Sequence, residues 1–243
     1  MDRSLELAMK AESFGSDWQP GSSAARTNKP ATGRRGFFRR SAVAAASAVG
    51  LCAARDASAS NPNYLPSLYQ GENATEFEAI QMHENAHVEF LVGALGQYAR
   101  PKPSFVKLVQ PNLVAFATTA KALENTGVGA YLGAAPVIFN SGYLAAAGSI
   151  LTIEARHAGY LNVLLNLVMT DNVFGNAQSF EGPLTQGQVV NLAGPFITSL
   201  NGGPALEFST TPSAENDYAI LNFALALEYL EAAFYNANVP IFT

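Results

Sequence analysis

Ile80-Gln81-Met82-His83-Glu84-Asn85-Ala86-His87-Val88-Glu89-Phe90-Leu91 sets an acid and a base, Glu84 and His87, in the middle of an apolar run. Around it Phe77, Ile80, Glu84, His87, Val88, Leu91, Leu95 and Tyr98 recur at three- and four-residue steps, which puts them on one face of a helix. Thr75 followed by Glu78 reads as a capping box, and Arg100-Pro101 closes the segment. A carboxylate on a core-facing stripe is expensive unless it is paired or bound to a cation. The pattern therefore predicts a helix that carries a polar site inside a bundle.

Working outward, three more stripes have the same interruption. Asn112 to Leu132 aligns Leu113, Phe116, Ala117, Ala120, Leu123, Glu124, Gly127 and Tyr131. Ser141 to Met169 aligns Ala147, Ile150, Leu151, Glu154, His157, Ala158, Leu161, Leu164 and Val168. A last segment from Pro212-Ser213 aligns Leu221, Ala224, Leu225, Glu228, Glu231, Ala232 and Tyr235. A four-helix bundle in which two helices give one Glu each and two give Glu-x-x-His builds a carboxylate-bridged dimetal centre. Positions i and i+3 share a face, so one helix offers an oxygen and a nitrogen donor to the same ion. The predicted ligands are Glu84, His87, Glu124, Glu154, His157 and Glu228 for two metal ions, with iron ahead of manganese and the donor set suiting both. Two of the three His residues sit in this spacing on different helices, which makes the pattern specific.

Other polar residues read differently. Glu78 and Glu89 fall off the stripe, on a solvated face; His83 has no matching Glu and belongs beside the ligands or at the bundle edge. Tyr131 and Tyr235 stand near the ligands, as core phenols able to donate an electron. Either Glu228 or Glu231 is the ligand of the last helix. The Glu-x6-Tyr spacing of Glu124 and Tyr131 recurs in Glu228 and Tyr235, which favours Glu228, with Glu231 beside it. The alternative to a metal site is a cluster of carboxylates paired with the two His.

The N-terminal part has a separate task. Nine of the fourteen Lys and Arg residues lie in residues 1–59, and the remainder keeps five basic against fourteen acidic residues, a formal charge of −9. Gly33-Arg34-Arg35-Gly36-Phe37-Phe38-Arg39-Arg40 precedes the small-residue run Ser41 to Ala54, and Ala57-Ser58-Ala59 offers a cleavage site. Residues 1–59 thus read as a polar leader and twin-arginine signal, and 60–243 as the exported domain, expected in the periplasm or otherwise outside the cytoplasm. The apolar run is too short for a membrane span. Cys52 is the sole cysteine, and bulky Leu51 before it argues against lipidation. An acidic body without a basic patch argues against nucleic acid as a partner.

The stretches His83–Leu91, Leu123–Tyr131, Ile153–His157 and Ile220–Ala232 resemble the ferritin-like superfamily, in particular its bacterial and plant desiccation-related group. The resemblance implies an all-α, ferritin-like four-helix bundle with long crossover connections. It also implies redox chemistry at a diiron or dimanganese site with O2, H2O2 or Fe(II) as the small-molecule or metal-ion partner. It does not choose between ferroxidase, peroxidase and catalase reactions. A different class is also compatible, an envelope protein protecting against stress or desiccation whose metal is structural; so is a bundle whose Asp171–Thr211 segment binds a partner. In that group the segment similar to Ile220–Ala232 comes first, whereas here it is last, which reads as a circular permutation. The permuted order requires two connections that span the bundle, Tyr98–Asn112 and the Asp171–Thr211 segment, the latter read as irregular. It leaves open whether the last helix completes its own bundle or a neighbour's in a homo-oligomer.

Overall fold

The computed structural model describes residues 68–243; the expected leader, its paired arginines and Cys52 lie outside the described residues. Four long helices form the bundle: α1 (Ala74–Leu95), α2 (Leu113–Ala134), α3 (Ser141–Leu164) and α5 (Ala214–Phe242), with a short α4 (Gln186–Ala193) between the last two. Caps explain where most begin. The side chain of Asn112 accepts from the Ala115 amide, that of Asn140 from Gly142 and Tyr143, and that of Ser213 from Asn216.

Three boundary expectations are corrected. The Thr75–Glu78 capping box does not form, because α1 has already started at Ala74 behind Asn73, which makes no side-chain cap bond. Tyr98, read as part of the first stripe, lies past α1 in a 3-10 turn and is 58% exposed, since the chain leaves the helix at Gly96 with φ 53°. The third helix stops at Leu164, short of Met169. The Asn162 side-chain amide donates to the carbonyls of Met169 (3.1 Å) and Asp171 (2.7 Å) and folds the chain back, leaving Val168 outside the helix.

Hydrogen bonds fix the helix directions. The Gly71 amide before α1 donates to the Phe242 carbonyl at the end of α5, while Arg100 after α1 meets Asn222 near the start of α5. These helices are antiparallel. Gln110 before α2 meets Asn238, and Phe139 and Asn140 after α2 donate to Asp217, so α2 is also antiparallel to α5. The short turn from α2 into α3 then makes α3 parallel to α5. Two connections consequently cross the length of the bundle, 96–112 and 165–213, as the order of motifs required. The second is not wholly irregular. It contains α4, started by a capping box between Thr185 and Gln188, and β2 (Ile197–Ser199), which pairs antiparallel with β1 (Ser104–Phe105) of the first crossover.

The second crossover lies against α2 because α2 has no side chains in the way. The Leu184 amide donates to the Gly129 carbonyl at 2.9 Å, and a Cβ on Gly133 would stand 2.1 Å from the Leu184 carbonyl oxygen. Burial divides accordingly: α2 and α5 are enclosed on nearly all sides over their central turns, whereas α1 and α3 keep an outer face. The core has two parts. One gathers Phe77, Phe116, Leu161, Leu230, Phe234 and Val239; the other gathers Leu91, Leu95, Ile150, Leu221 and Leu225. The polar residues singled out in the sequence lie at the depth between them.

Candidate metal centre

Each central helix delivers its carboxylate to one place. Glu84 of α1, Glu124 of α2, Glu154 of α3 and Glu228 of α5 are all 0% exposed. His157 is buried at 5%, and the His87 side chain is 11% exposed. The donor atoms fall into two sets, each with its atoms within 4.8 Å of one another: Glu84, Glu124, Glu154 and His157, and Glu84, His87, Glu154 and Glu228. Glu84 and Glu154 belong to both sets, the position of bridging carboxylates; Glu124 and Glu228 belong to one each. All six residues expected from the sequence are brought together.

The distances within the cluster are short. His157 Nδ1 is 3.0 Å from Glu124 Oε2 and 3.1 Å from Glu84 Oε1. His87 Nδ1 is 3.2 Å from Glu228 Oε2, 3.1 Å from Glu154 Oε1 and 3.4 Å from Glu84 Oε2. Two phenols cross the site: Tyr131 of α2 donates to Glu228 Oε1 of α5, and Tyr235 of α5 donates to Glu124 Oε1 of α2, both at 2.5 Å. Each terminal carboxylate is thereby held by the tyrosine of the opposite helix. Burial, the adjacent carboxylates and these hydrogen bonds push both phenols well above the ordinary range, so they are neutral donors.

Three further residues complete the surroundings. His83, whose place the sequence left between ligand neighbourhood and bundle edge, has Nδ1 3.0 Å from His157 Nε2. Glu231 is 3% exposed and its Oε2 has no hydrogen-bond partner, but it belongs to neither donor set. Gly127 gives it room. A Cβ at that position would stand 2.8 Å from Glu154 Oε2 and 3.5 Å from Glu231 Oε1. Gly127 was legible as a stripe position three residues after Glu124, but nothing in the sequence marked it as the space for two carboxylates. Beside it is a void of about 10 Å³ lined by Leu123, Gly127, Ala193, Leu230 and Glu231, room for about one water molecule.

Protons distribute over the cluster as its charges require. Burial raises Glu154, and the adjacent Glu84 and Glu124 raise it further; Glu231 is raised for the same reasons. Burial also takes Glu228 to about 7, against the opposing pull of His87. Burial would raise Glu84 too, but the imidazoles of His157 and His87 outweigh it and hold it at about 2. Those imidazoles, despite burial, are raised by their carboxylate neighbours to about 10 for His87 and about 9 for His157. Without cations the cluster thus holds itself together with protons.

The residues present fit bound metal ions. Both oxygens of Glu84 and both of Glu154 are buried without a well-directed hydrogen bond, although imidazole nitrogens lie within 3.4 Å. Buried carboxylate oxygens in folded proteins are almost always satisfied. The oxygens of Glu84 and Glu154 would be satisfied by a common ion. The oxygen and nitrogen donor set matches first-row metals such as iron and manganese.

A bundle of four long helices with buried Glu and Glu-x-x-His residues meeting at mid-depth is the arrangement in which dimetal-carboxylate proteins hold their ions. The chain belongs to the ferritin-like domain family, whose pattern matches residues 37–167. That match takes in Glu84, His87, Glu124, Glu154 and His157 and ends before α5, which carries Glu228, Glu231 and Tyr235. No curated protein and no solved structure matches the chain.

Proposed function

We propose that this is an exported ferritin-like protein that binds two metal ions, iron or manganese, and uses them in redox chemistry with O2, H2O2 or Fe(II). Glu84 and Glu154, with Glu124 and His157 on one side and Glu228 and His87 on the other, would hold the ions, and Glu231 stands beside them. The observation that carries this reading is the set of four orphaned bridging oxygens at the centre of the bundle. Bound ions would supply electron exchange with a small oxidant, and the carboxylates would buffer the change in charge. The protein's own part is to fix the ligands, exclude bulk water and hold neutral phenols against Glu124 and Glu228. Export through the paired arginines 34 and 35 would carry the bundle across the membrane already folded and loaded. We read the motif order, with the Ile220–Ala232 segment last, as a circular permutation of the family arrangement.

The test is elemental analysis of the exported protein. About two Fe or Mn per chain are expected, lost together in Glu84→Ala and His157→Ala; a protein that neither carries nor takes up metal overturns the reading. The enclosure of the site supports a second reading, a stress-protective envelope protein in which the ions only stabilise the bundle. In that case metal removal lowers the melting temperature, and the loaded protein shows no turnover dependent on O2 or H2O2.

A further inference from the structure

We propose that the two metal positions are inequivalent and fill in order, the one at Glu124 and His157 before the one at His87 and Glu228, because His83 is a positioning residue for His157. This rests on the dimetal reading above. The His83 and His157 rings lie within 4° of parallel with centroids 5.2 Å apart, and Nδ1 of one is 3.0 Å from Nε2 of the other. Overlaid rings keep roughly 3.5 Å between their planes, so this approach places the imidazoles end to end, joined by an in-plane hydrogen bond. Nδ1, on the other side of the His157 ring, faces Glu124 and Glu84 and is the atom an ion would take. With an ion at His157 Nδ1 the ring proton would sit on Nε2, where it would be donated to His83 Nδ1. With the Nε2 proton held there, the Nδ1 lone pair is left for the metal, and the ring cannot rotate without breaking the bond.

His87 has no such arrangement. Its Nδ1 faces Glu228, Glu154 and Glu84, but among the described residues its Nε2 has no protein partner, and its side chain is the more exposed of the two. The position it serves has the same kinds of donor as the first: one Glu from a Glu-x6-Tyr helix, one crossing tyrosine bond and the two shared carboxylates. Apart from Glu231, which stands where the other half has Gly127, the difference between the positions is the fixed imidazole. Residues that orient a metal-bound His typically change affinity by about 10–100-fold.

The experiment is titration of the metal-free full chain with Mn2+ under argon, followed by electron paramagnetic resonance. In the wild type a mononuclear six-line signal grows to one equivalent and gives way to an exchange-coupled signal at two. Anomalous scattering from crystals grown at one equivalent should place the ion beside His157. In His83→Ala the first step should weaken about 10–100-fold and the ion should divide between both positions. His83→Asn, whose side-chain oxygen reproduces the acceptor, should restore the order. The melting temperature of each metal-free variant separates lost positioning from lost folding. Equal filling in the wild type, or unchanged order in His83→Ala, overturns the proposal while leaving the dimetal site standing. Failure to bind Mn2+ at all overturns both.

Discussion

A methyl group on Gly127 would meet the carboxylate of Glu154 at 2.8 Å, and that carboxylate is the far end of a flexible side chain. The fold can yield there while the ligand geometry cannot. Helix propensity favours Ala over Gly by about 1 kcal/mol, so Gly127→Ala should leave the metal-free protein within about that margin of wild type. Metal affinity should fall by about tenfold or more, on the scale expected when a ligand's support is disturbed. Melting of the metal-free form and a metal titration on the same sample check the two halves. At this scale the sequence was informative wherever a side chain carried charge. Glu84, His87, Glu124, Glu154, His157 and Glu228 were legible because each interrupts an apolar stripe. His83 was ambiguous, since its bond to His157 joins α1 to α3 across 74 positions and leaves no local trace. Gly127 was hidden for a simpler reason: its contribution is the side chain it lacks.

The elements depend on how the crossovers are held. Gly129 and Gly133 let the second crossover touch the backbone of α2, where Leu184 sits. Gly133→Ala brings a Cβ to 2.1 Å from a backbone oxygen, which cannot swing aside as a side chain would. The crossover must lift, at about 1–3 kcal/mol for an overpacked contact. The expected result is a lower melting temperature together with faster proteolysis within 172–186, with metal content retained. Cleavage elsewhere first, or unchanged stability, would show that Leu184 is not the anchor. The helices themselves were readable from their periodicity, with α2 and α5 starting one residue inside their caps, as the Asn112 and Pro212-Ser213 signals indicate. The stops were less so. Val168 stands at a helical interval from Leu161 and Leu164, and only the turn made by Asn162 ends α3 earlier. The pairing of β1 with β2 was not legible, since five residues in two distant loops have no repeating pattern to detect.

For the whole molecule the balance of buried charge sets the response to pH. His87 and His157 are held at about 10 and about 9 against an ordinary 6.5. The stability they contribute is whole below 6.5 and is lost as pH rises through those values. Glu154, Glu228 and Glu231, raised from 4.5, act in the same sense, since ionising them in the interior is unfavourable. Glu84 is opposite: held at about 2, its contribution is present above 4.5 and lost only as pH falls through 2. The metal-free protein should therefore lose stability between pH 7 and 10, each kcal/mol lowering Tm by about 2–4 °C. The metal-loaded protein should lose less, because the cations keep the carboxylates ionised. Circular dichroism melts of both forms across that range make the comparison; parallel declines would mean that the cluster does not govern the alkaline limb. The architecture that produces this balance was largely predictable, because four stripes with one carboxylate each leave few other ways to bury them.

The crossing tyrosines also bear on how such a chain could have arisen. Residues 74–134 run as a Glu-x-x-His helix, a crossover and a Glu-x6-Tyr helix, and residues 141–242 repeat that order. The Tyr of each half secures the Glu of the other. Two copies of a half-length polypeptide facing one another about a twofold axis would supply the same six donors and the same exchanged bonds. The chain has the form of a homodimer fused head to tail, and its single-chain state frees each half to diverge, as Gly127 and Glu231 already have at corresponding positions.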